Sequence, residues 1–411
     1  MRILHLNTYD KGGAANAAFR LHQGLLQEGV DSVFASKFST FDSKAKISVL
    51  SSTFDFMERR SPQIEFHLSK FLHPFTRPVL VKNILPGCGM RAIHEVKPSI
   101  VHLHWIEHGL LNTRELARLA KSKIPLVWTL HDMAPVSGGF GYRESVNLPP
   151  DAYGSLVVEG SRSTLSRKIM DERADALKGA NLTVAAPSAW LAEEARRSPV
   201  FKKHRVEHIP YGIDTVTFTP IDQTNARLKW NLPLNSKIIL FGADTFEDSR
   251  KGIEHLKNAL FKMPKEIDGQ KLLLVGFGNI DKIPQDLFPI PVIGVGRINS
   301  QTDLASLYSA ADVFVCPSRE DNLPNTMIES LACGIPVVGF RIGGLPDFVI
   351  PNLTGELASP YNETELAQAI LLILNYTKDH QKEIKSNCVI LSEKKLAIKN
   401  QSEKYKLLYN L

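Results

Sequence analysis

Residues 1–29 read MRILHLNTYDKGGAANAAFRLHQGLLQEG, and this stretch decides the fold. Residues 2–7 form a short apolar-rich run of strand length. Gly12-Gly13 follow, and then a segment in which Ala18, Leu21 and Leu25 recur at helical spacing before Gly29, a residue suited to ending a helix. Strand, glycine loop and helix make the opening unit of a doubly wound α/β sheet. Working outward, further strands are expected at residues 33–36, 100–105, 126–130 and 182–186, with helices between them. That alternation implies a parallel sheet covered on both faces.

The pattern restarts at Lys237. KIILFGA is a strand and GIEHLKNALFKM a helix; LLLVGFG and PVIGVG are strands; DLASLYSAAD is a helix; VFVCPS, TMIESLACG and PVVGF continue as strand, helix, strand. The join falls within residues 208–220, HIPYGIDTVTFTP, rich in Pro, Gly and Thr. The expected architecture is therefore two doubly wound halves: residues 1–206, residues 207–391, and a polar helical tail over 392–411 carrying Ile398, Tyr405 and Leu408.

A length of 411 residues agrees with two domains of roughly 200 residues each. The composition, 43% hydrophobic and 22% charged, is that of a globular chain rather than a disordered or fibrous one. Cys88, Cys316, Cys333 and Cys388 form no CxxC pair, so reduced core thiols of a cytosolic protein are expected, with neither a disulfide frame nor a zinc site. No apolar run has bilayer-spanning length, and the first residues start a strand at once, so neither an anchor nor a signal peptide is expected. The net charge of +6 suits an anionic ligand or an anionic membrane face. No nucleic-acid-binding motif is visible, and none is expected as a partner.

Residues 54–91 fit a βα unit poorly. Arg59, Arg60, Lys70, Arg77 and Lys82 are interleaved there with Phe66, Leu68, Phe71, Leu72 and Phe75. Such a segment suits either peripheral contact with anionic lipid or a lid over an acceptor site. Residues 142–166 are a second irregular stretch.

Four constellations can carry chemistry. Gly12-Gly13 lies between a strand end and a helix start, where backbone amides can face an anion; the plainer reading is a tight turn. In residues 318–338, SREDNLPNTMIESLACGIPVV, Asp321 and Glu329 offer two acidic acceptors suited to polyol hydroxyls. Thr326-x-x-Glu329 is equally a capping box, which would explain Glu329 by helix energetics alone. Arg250 and Lys251, in SRKG, stand ahead of a helix, where cations are disfavoured by the dipole but can bind a diphosphate. His131, in TLHD, lies just past a strand's carboxyl end, the place where open α/β sheets bind ligands; a satisfied loop histidine is the alternative. His102 and His104 point the same way from one strand, but as a metal pair they have no third ligand within reach in the sequence. No Asp-x-Asp occurs, which argues for cationic side chains and helix dipoles, not a metal, at a diphosphate site.

Together these residues resemble the family-4 retaining glycosyltransferases (glycosyltransferase group 1) of the GT-B fold. The resemblance covers essentially the whole chain and is strongest over residues 307–349, LYSAADVFVCPSREDNLPNTMIESLACGIPVVGFRIGGLPDFV. It is supported by DKGGAANAAFRL, TLHDMAPVSGGFGY, APSAWLAEEA, IPYGIDTVTF and FGADTFEDSRKG, and it is greatest toward the branch acting in exopolysaccharide, colanic-acid-type and O-antigen assembly.

The resemblance implies two Rossmann-like domains facing across a cleft, the tail crossing back to the first. It implies retaining, metal-independent transfer from a nucleotide-sugar donor to a saccharide or lipid-linked acceptor, with no cofactor. By the match, Asp321 would take the sugar's hydroxyls and Glu329 the ribose diol. Gly12, Gly13 and the backbone of Asn322, Leu323, Pro324 and Asn325 would lie along the donor. Lys251 would hold the diphosphate and His131 would stand near the reacting sugar. Ala243 replaces the family's usual arginine, with Arg250 as candidate substitute, and the first motif acid is Asp in place of Glu. The chain is expected in the cytoplasm, peripheral to the inner membrane face. A nucleotide-sugar 2-epimerase on the same fold, or a non-catalytic sugar-binding homologue, would share most of these features.

Overall fold

The computed structural model describes residues 1–38, 46–48, 87–139, 141–142, 161–245, 248–279 and 287–410. The basic stretch with Arg59, Arg60, Lys70, Arg77 and Lys82 lies outside them, as does most of the irregular stretch after Tyr142. The chain divides into two compact units, Met1–Gly212 with Gln401–Leu411, and Ile213–Asn400. These limits differ from the expected 206 and 391 for a local reason. Ile213 N–H donates to Leu396 O at 2.7 Å and Ile398 N–H donates to Ile213 O at 2.9 Å. That bridge ties the segment before residue 400 to the second unit.

The first unit holds a seven-stranded sheet of order β3-β2-β1-β4-β5-β6-β7. Its strands are β1 (Arg2–Tyr9), β2 (Asp31–Phe38), β3 (Lys46–Ser48), β4 (Ile100–Leu103), β5 (Leu126–Thr129), β6 (Leu182–Ala186) and β7 (Arg205–His208), all in parallel pairs. Alternate residues serve opposite faces. Leu4, Leu6, Val101, Leu103 and Trp128 build one core, while Ile3, Ile100 and Val127 pack with Leu21, Leu25, Tyr405 and Tyr409 in the other. The strand order reverses between β1 and β4. Helix Gly13–Gln27 begins at the expected glycine pair. Gly12 has φ 96°, and an added Cβ there would meet nothing within 4 Å, so the backbone turn and not crowding demands glycine.

The second unit carries β8 (Lys237–Thr245), β9 (Glu266–Ile267), β10 (Gln270–Asn279), β11 (Val292–Gly294), β12 (Val313–Cys316), β13 (Val337–Phe340) and β14 (Gly355–Ala358). The parallel order is β11-β10-β8-β12-β13-β14, with β9 antiparallel to β10. Here the reversal lies between β8 and β12. Ligands of such sheets bind beyond the carboxyl ends at the reversal point. The loops that leave β8 and β12 are those carrying Arg250–Lys251 and Asp321.

All four cysteines are buried and unbridged. No helix among the described residues is long and apolar enough to cross a membrane.

Candidate functional site

In the second unit, the two loops at the reversal point are drawn together by their backbones. Arg319 N–H donates to Arg250 O at 2.8 Å. Gly252, at φ 72°, lies so close to Pro317 that an added Cβ would stand 1.8 Å from the carbonyl oxygen. Asp248 caps the short turn Ser249–Lys251 through Arg250 N–H at 3.1 Å. This framework places Lys251 Nζ 2.7 Å from Asp321 Oδ2 and Arg250 Nη1 3.2 Å from the same oxygen. Arg250 also donates to Glu320 O at 3.1 Å and to Asp248 Oδ2 at 3.0 Å.

The two cations and the acid singled out in the sequence are thus one cluster. Burial pushes the Asp321 carboxyl up, but Lys251 and then Arg250 outweigh it and hold its pKa below the ordinary aspartate value. Arg250 is shared between Asp248 and Asp321. Asp248 was not singled out from the sequence, although a carboxylate two residues before a cation ahead of a helix is a legible sign of such a turn.

Helix Asn325–Ala332 begins one residue before Thr326, with Pro324 at the N-cap and no side-chain cap. The capping-box reading of Thr326-x-x-Glu329 is therefore overturned: Thr326 is already helical, so its side chain cannot serve as N-cap. Glu329 is buried instead, and its Oε2 accepts from Tyr308 Oη at 3.0 Å. Tyr308 was not singled out in the sequence. A buried tyrosine hydroxyl needs a partner, which is the signal that would have found it. Asn322, Leu323 and Pro324 are buried ahead of the helix and Asn325 is its first residue. Ala243 is a buried residue of β8.

Gly12, Gly13 and His131 belong to the first unit. His131 follows β5 and is buried, and its two ring nitrogens are engaged within the unit. Nδ1 lies 2.7 Å from Tyr211 Oη and Nε2 lies 3.0 Å from His104 Nδ1. His104 Nε2 is in turn 2.9 Å from His5 Nδ1. His102, beside His5 in the β1–β4 register, bonds Tyr409 Oη at 2.5 Å and Thr129 Oγ1 at 2.7 Å. Burial lowers the pKa of each of these histidines, that of His131 to about 3.

The sequence offered no third ligand beside His102 and His104, but the fold supplies one. A nitrogen each of His5, His102 and His104 lies within 4.8 Å of the others. Their nitrogens are nevertheless already engaged: His102 bonds Tyr409 Oη and Thr129 Oγ1, and His104 bonds His5 Nδ1 and His131 Nε2. A zinc site needs a lone pair from each ring converging on one point at about 2.0–2.1 Å, and His102 and His104 can supply none without breaking these hydrogen bonds. This arrangement does not fit a tetrahedral metal.

A parallel doubly wound sheet in each unit is the pair of Rossmann-like domains of the GT-B glycosyltransferases, and the comparisons with known proteins agree. Residues 11–217 match Glycosyltransferase Family 4, and residues 222–388 match Glycosyl transferases group 1. The chain belongs to glycosyltransferase family 4. It is 27% identical over 286 residues to D-inositol 3-phosphate glycosyltransferase of Mycolicibacterium smegmatis, covering 67% of this chain and 60% of that protein. Against the Segniliparus rotundus enzyme of the same name it is 26% identical, covering 65% of this chain and 57% of that one. The chain thus matches less than two thirds of the length of these relatives. Among solved structures, sucrose-phosphate synthase from Thermosynechococcus elongatus aligns with a TM-score of 0.71 at 21% identity, covering 100% of this chain and 98% of that one. Anabaena HepE in complex with UDP-glucose aligns at 0.64 and 15%, covering 100% of both chains.

Proposed function

We propose that this chain transfers a sugar from a nucleotide-diphosphate sugar to a hydroxyl of a saccharide or lipid-linked acceptor, with retention at the anomeric carbon and without a metal ion. The observation that carries this reading is the cluster of Lys251, Arg250 and Asp321 beyond β8 and β12. Two cations and an acid there match the two halves of such a donor. The diphosphate exchanges with Asp321 as partner of Lys251, and the released carboxylate, an acceptor-only group, takes sugar hydroxyls. Glu329, with one oxygen held by Tyr308, takes the ribose diol. Charge that develops on the departing diphosphate is stabilised by Lys251 and by the N-terminus of helix Asn325–Ala332. The leaving oxygen accepts the proton of the incoming hydroxyl on the same face of the sugar. Arg250, held by Asp248 as well, contributes chiefly by positioning Asp321 and the loop.

The exopolysaccharide-type acceptor rests on the motif resemblance. A second reading, a phosphorylated cyclitol acceptor, is favoured by the names of the curated relatives. The basic stretch around Arg59–Lys82 is proposed to rest on anionic lipid, which suits a lipid-linked acceptor; liposome binding that ignores anionic lipid would remove that element. The deciding experiment incubates the chain with UDP-, GDP- and ADP-sugars, with and without saccharide, lipid-linked and inositol phosphate acceptors, and determines the anomer formed. Acceptor-dependent release of nucleoside diphosphate with retained configuration is expected. Conversion of the sugar with donor alone would indicate an epimerase, and an inverted product would exclude the proposed chemistry.

A further inference from the structure

The hydrogen-bonded row His5–His104–His131–Tyr211 has one feature that sets its direction. His5 is fully buried, and its Nε2 has no hydrogen-bond partner among the described residues. A neutral imidazole carries one proton. Placed on Nε2 of His5, it would be an orphaned buried N–H, the rarer and costlier defect; placed on Nδ1, it leaves only a bare lone pair. His5 therefore donates from Nδ1 to His104 Nε2 across 2.9 Å. His104, accepting on Nε2, must carry its single proton on Nδ1 and donate to His131 Nε2 across 3.0 Å. His131 must then carry its proton on Nδ1 and donate to Tyr211 Oη across 2.7 Å.

We infer that this row is a one-way relay in which His5, two residues removed along the hydrogen-bond chain, fixes the tautomer of His131. His5 and His104 are positioning residues: they act through His131. Burial keeps all three rings neutral, so the row holds three protons on three imidazoles and its polarity is all-or-none. His104 is the pivot, because its ring is stacked on His102, whose own nitrogens are fixed by Thr129 and Tyr409. The polarity stands on geometry alone; its consequence for turnover rests on the glycosyl-transfer reading, in which His131 stands near the reacting sugar.

The test is nitrogen NMR on the full chain with ¹⁵N-labelled histidine, assigned by single-histidine substitutions. In the wild type, His5, His104 and His131 are each expected as the pure Nδ1–H tautomer. His5→Phe removes the first donor, and His104 and His131 are expected to become tautomer mixtures. His5→Asn, whose amide NH₂ can replace Nδ1–H, restores the single tautomer. Turnover follows the same order, with loss in His5→Phe, recovery in His5→Asn, and donor KM unchanged. A wild-type His131 protonated on Nε2, or an unmixed His131 in His5→Phe, overturns the relay. If His5→Phe does not fold, the wild-type and His5→Asn spectra still decide the polarity. Tautomers that shift as expected while turnover holds would keep the relay and remove His131 from the proposed reaction.

Discussion

The carboxyl ends of the two sheets are built by the same topological rule and filled with opposite chemistry. At the β1–β4 reversal a row of buried histidines runs from inside the strands, His5 in β1 and His102 in β4, to His104 and His131 just past β4 and β5; beyond the β8–β12 reversal stand two cations and two carboxylates. The difference lies in what each set can do without a ligand. The charged cluster satisfies itself through Asp321, the partner that the proposed reading has it exchange for a diphosphate. The histidine stack has no charge to exchange and instead fixes orientation and tautomer. A shared fold thus places the sites, and side chains alone divide the labour.

Acid breaks this comparison most strongly. His5, His102, His104 and His131 have native pKa values depressed by burial, below an unfolded value of 6.5. Below pH 6.5 the unfolded chain takes up protons that the folded first unit refuses. Stability present above pH 6.5 is therefore lost as pH falls toward the native values, for His131 down to about 3. Each histidine that stays neutral removes about 1.4 kcal/mol per pH unit. Asp321, also depressed, starts from 3.8, so its loss begins only near pH 4 and below. Hydrogen exchange between pH 7 and pH 4.5 should show β1 and β4 losing protection while β8 and β12 keep theirs. Equal loss in both sheets would refute the contrast.

The next effect in size belongs to Lys251. Lys251→Ala removes the charge proposed to meet the departing diphosphate and should lower kcat by about 10²–10³. Its melting temperature should change little, because Arg250 still pairs Asp321. Turnover within threefold of wild type would make Lys251 a structural counter-ion.

A smaller effect separates Glu329 from its neighbour. Glu329→Gln still accepts from Tyr308 but presents an NH₂ where a ribose hydroxyl must donate, so donor affinity should fall by about 1.5–3 kcal/mol at unchanged stability. Tyr308→Phe keeps the carboxylate and removes only its anchor, for a loss of about 0.5–1.5 kcal/mol. Calorimetric titration of a donor into each variant orders them, and a reversed order would break the ribose assignment.

Much of this is legible in the sequence alone. The apolar runs of β1, β8, β10 and β12 and the glycine turns gave both sheets, because buried parallel strands are continuously apolar. Strand β7, RVEH, escaped because it is an edge strand with no fully buried residue. The pairing of Lys251 with Asp321 was hidden because it joins positions 70 apart that only the β8–β12 adjacency brings together. His5 escaped for the same reason. A lone histidine in an apolar strand carries no mark of its partners, and only the β1–β4 register sets it beside His102. The capping box misled because the motif is local, whereas Glu329 answers to Tyr308, 21 residues away.

The central claim is that the β8–β12 end holds a nucleotide-diphosphate sugar. It is tested most directly by thermal unfolding of wild type and Lys251→Ala with UDP-, GDP- and ADP-sugars. At 100 times Kd, binding should add about 2.7 kcal/mol of stability. At least one donor should stabilise the wild type by that amount and leave Lys251→Ala nearly unmoved. Stabilisation by none of them, or equal stabilisation of both proteins, would contradict the account.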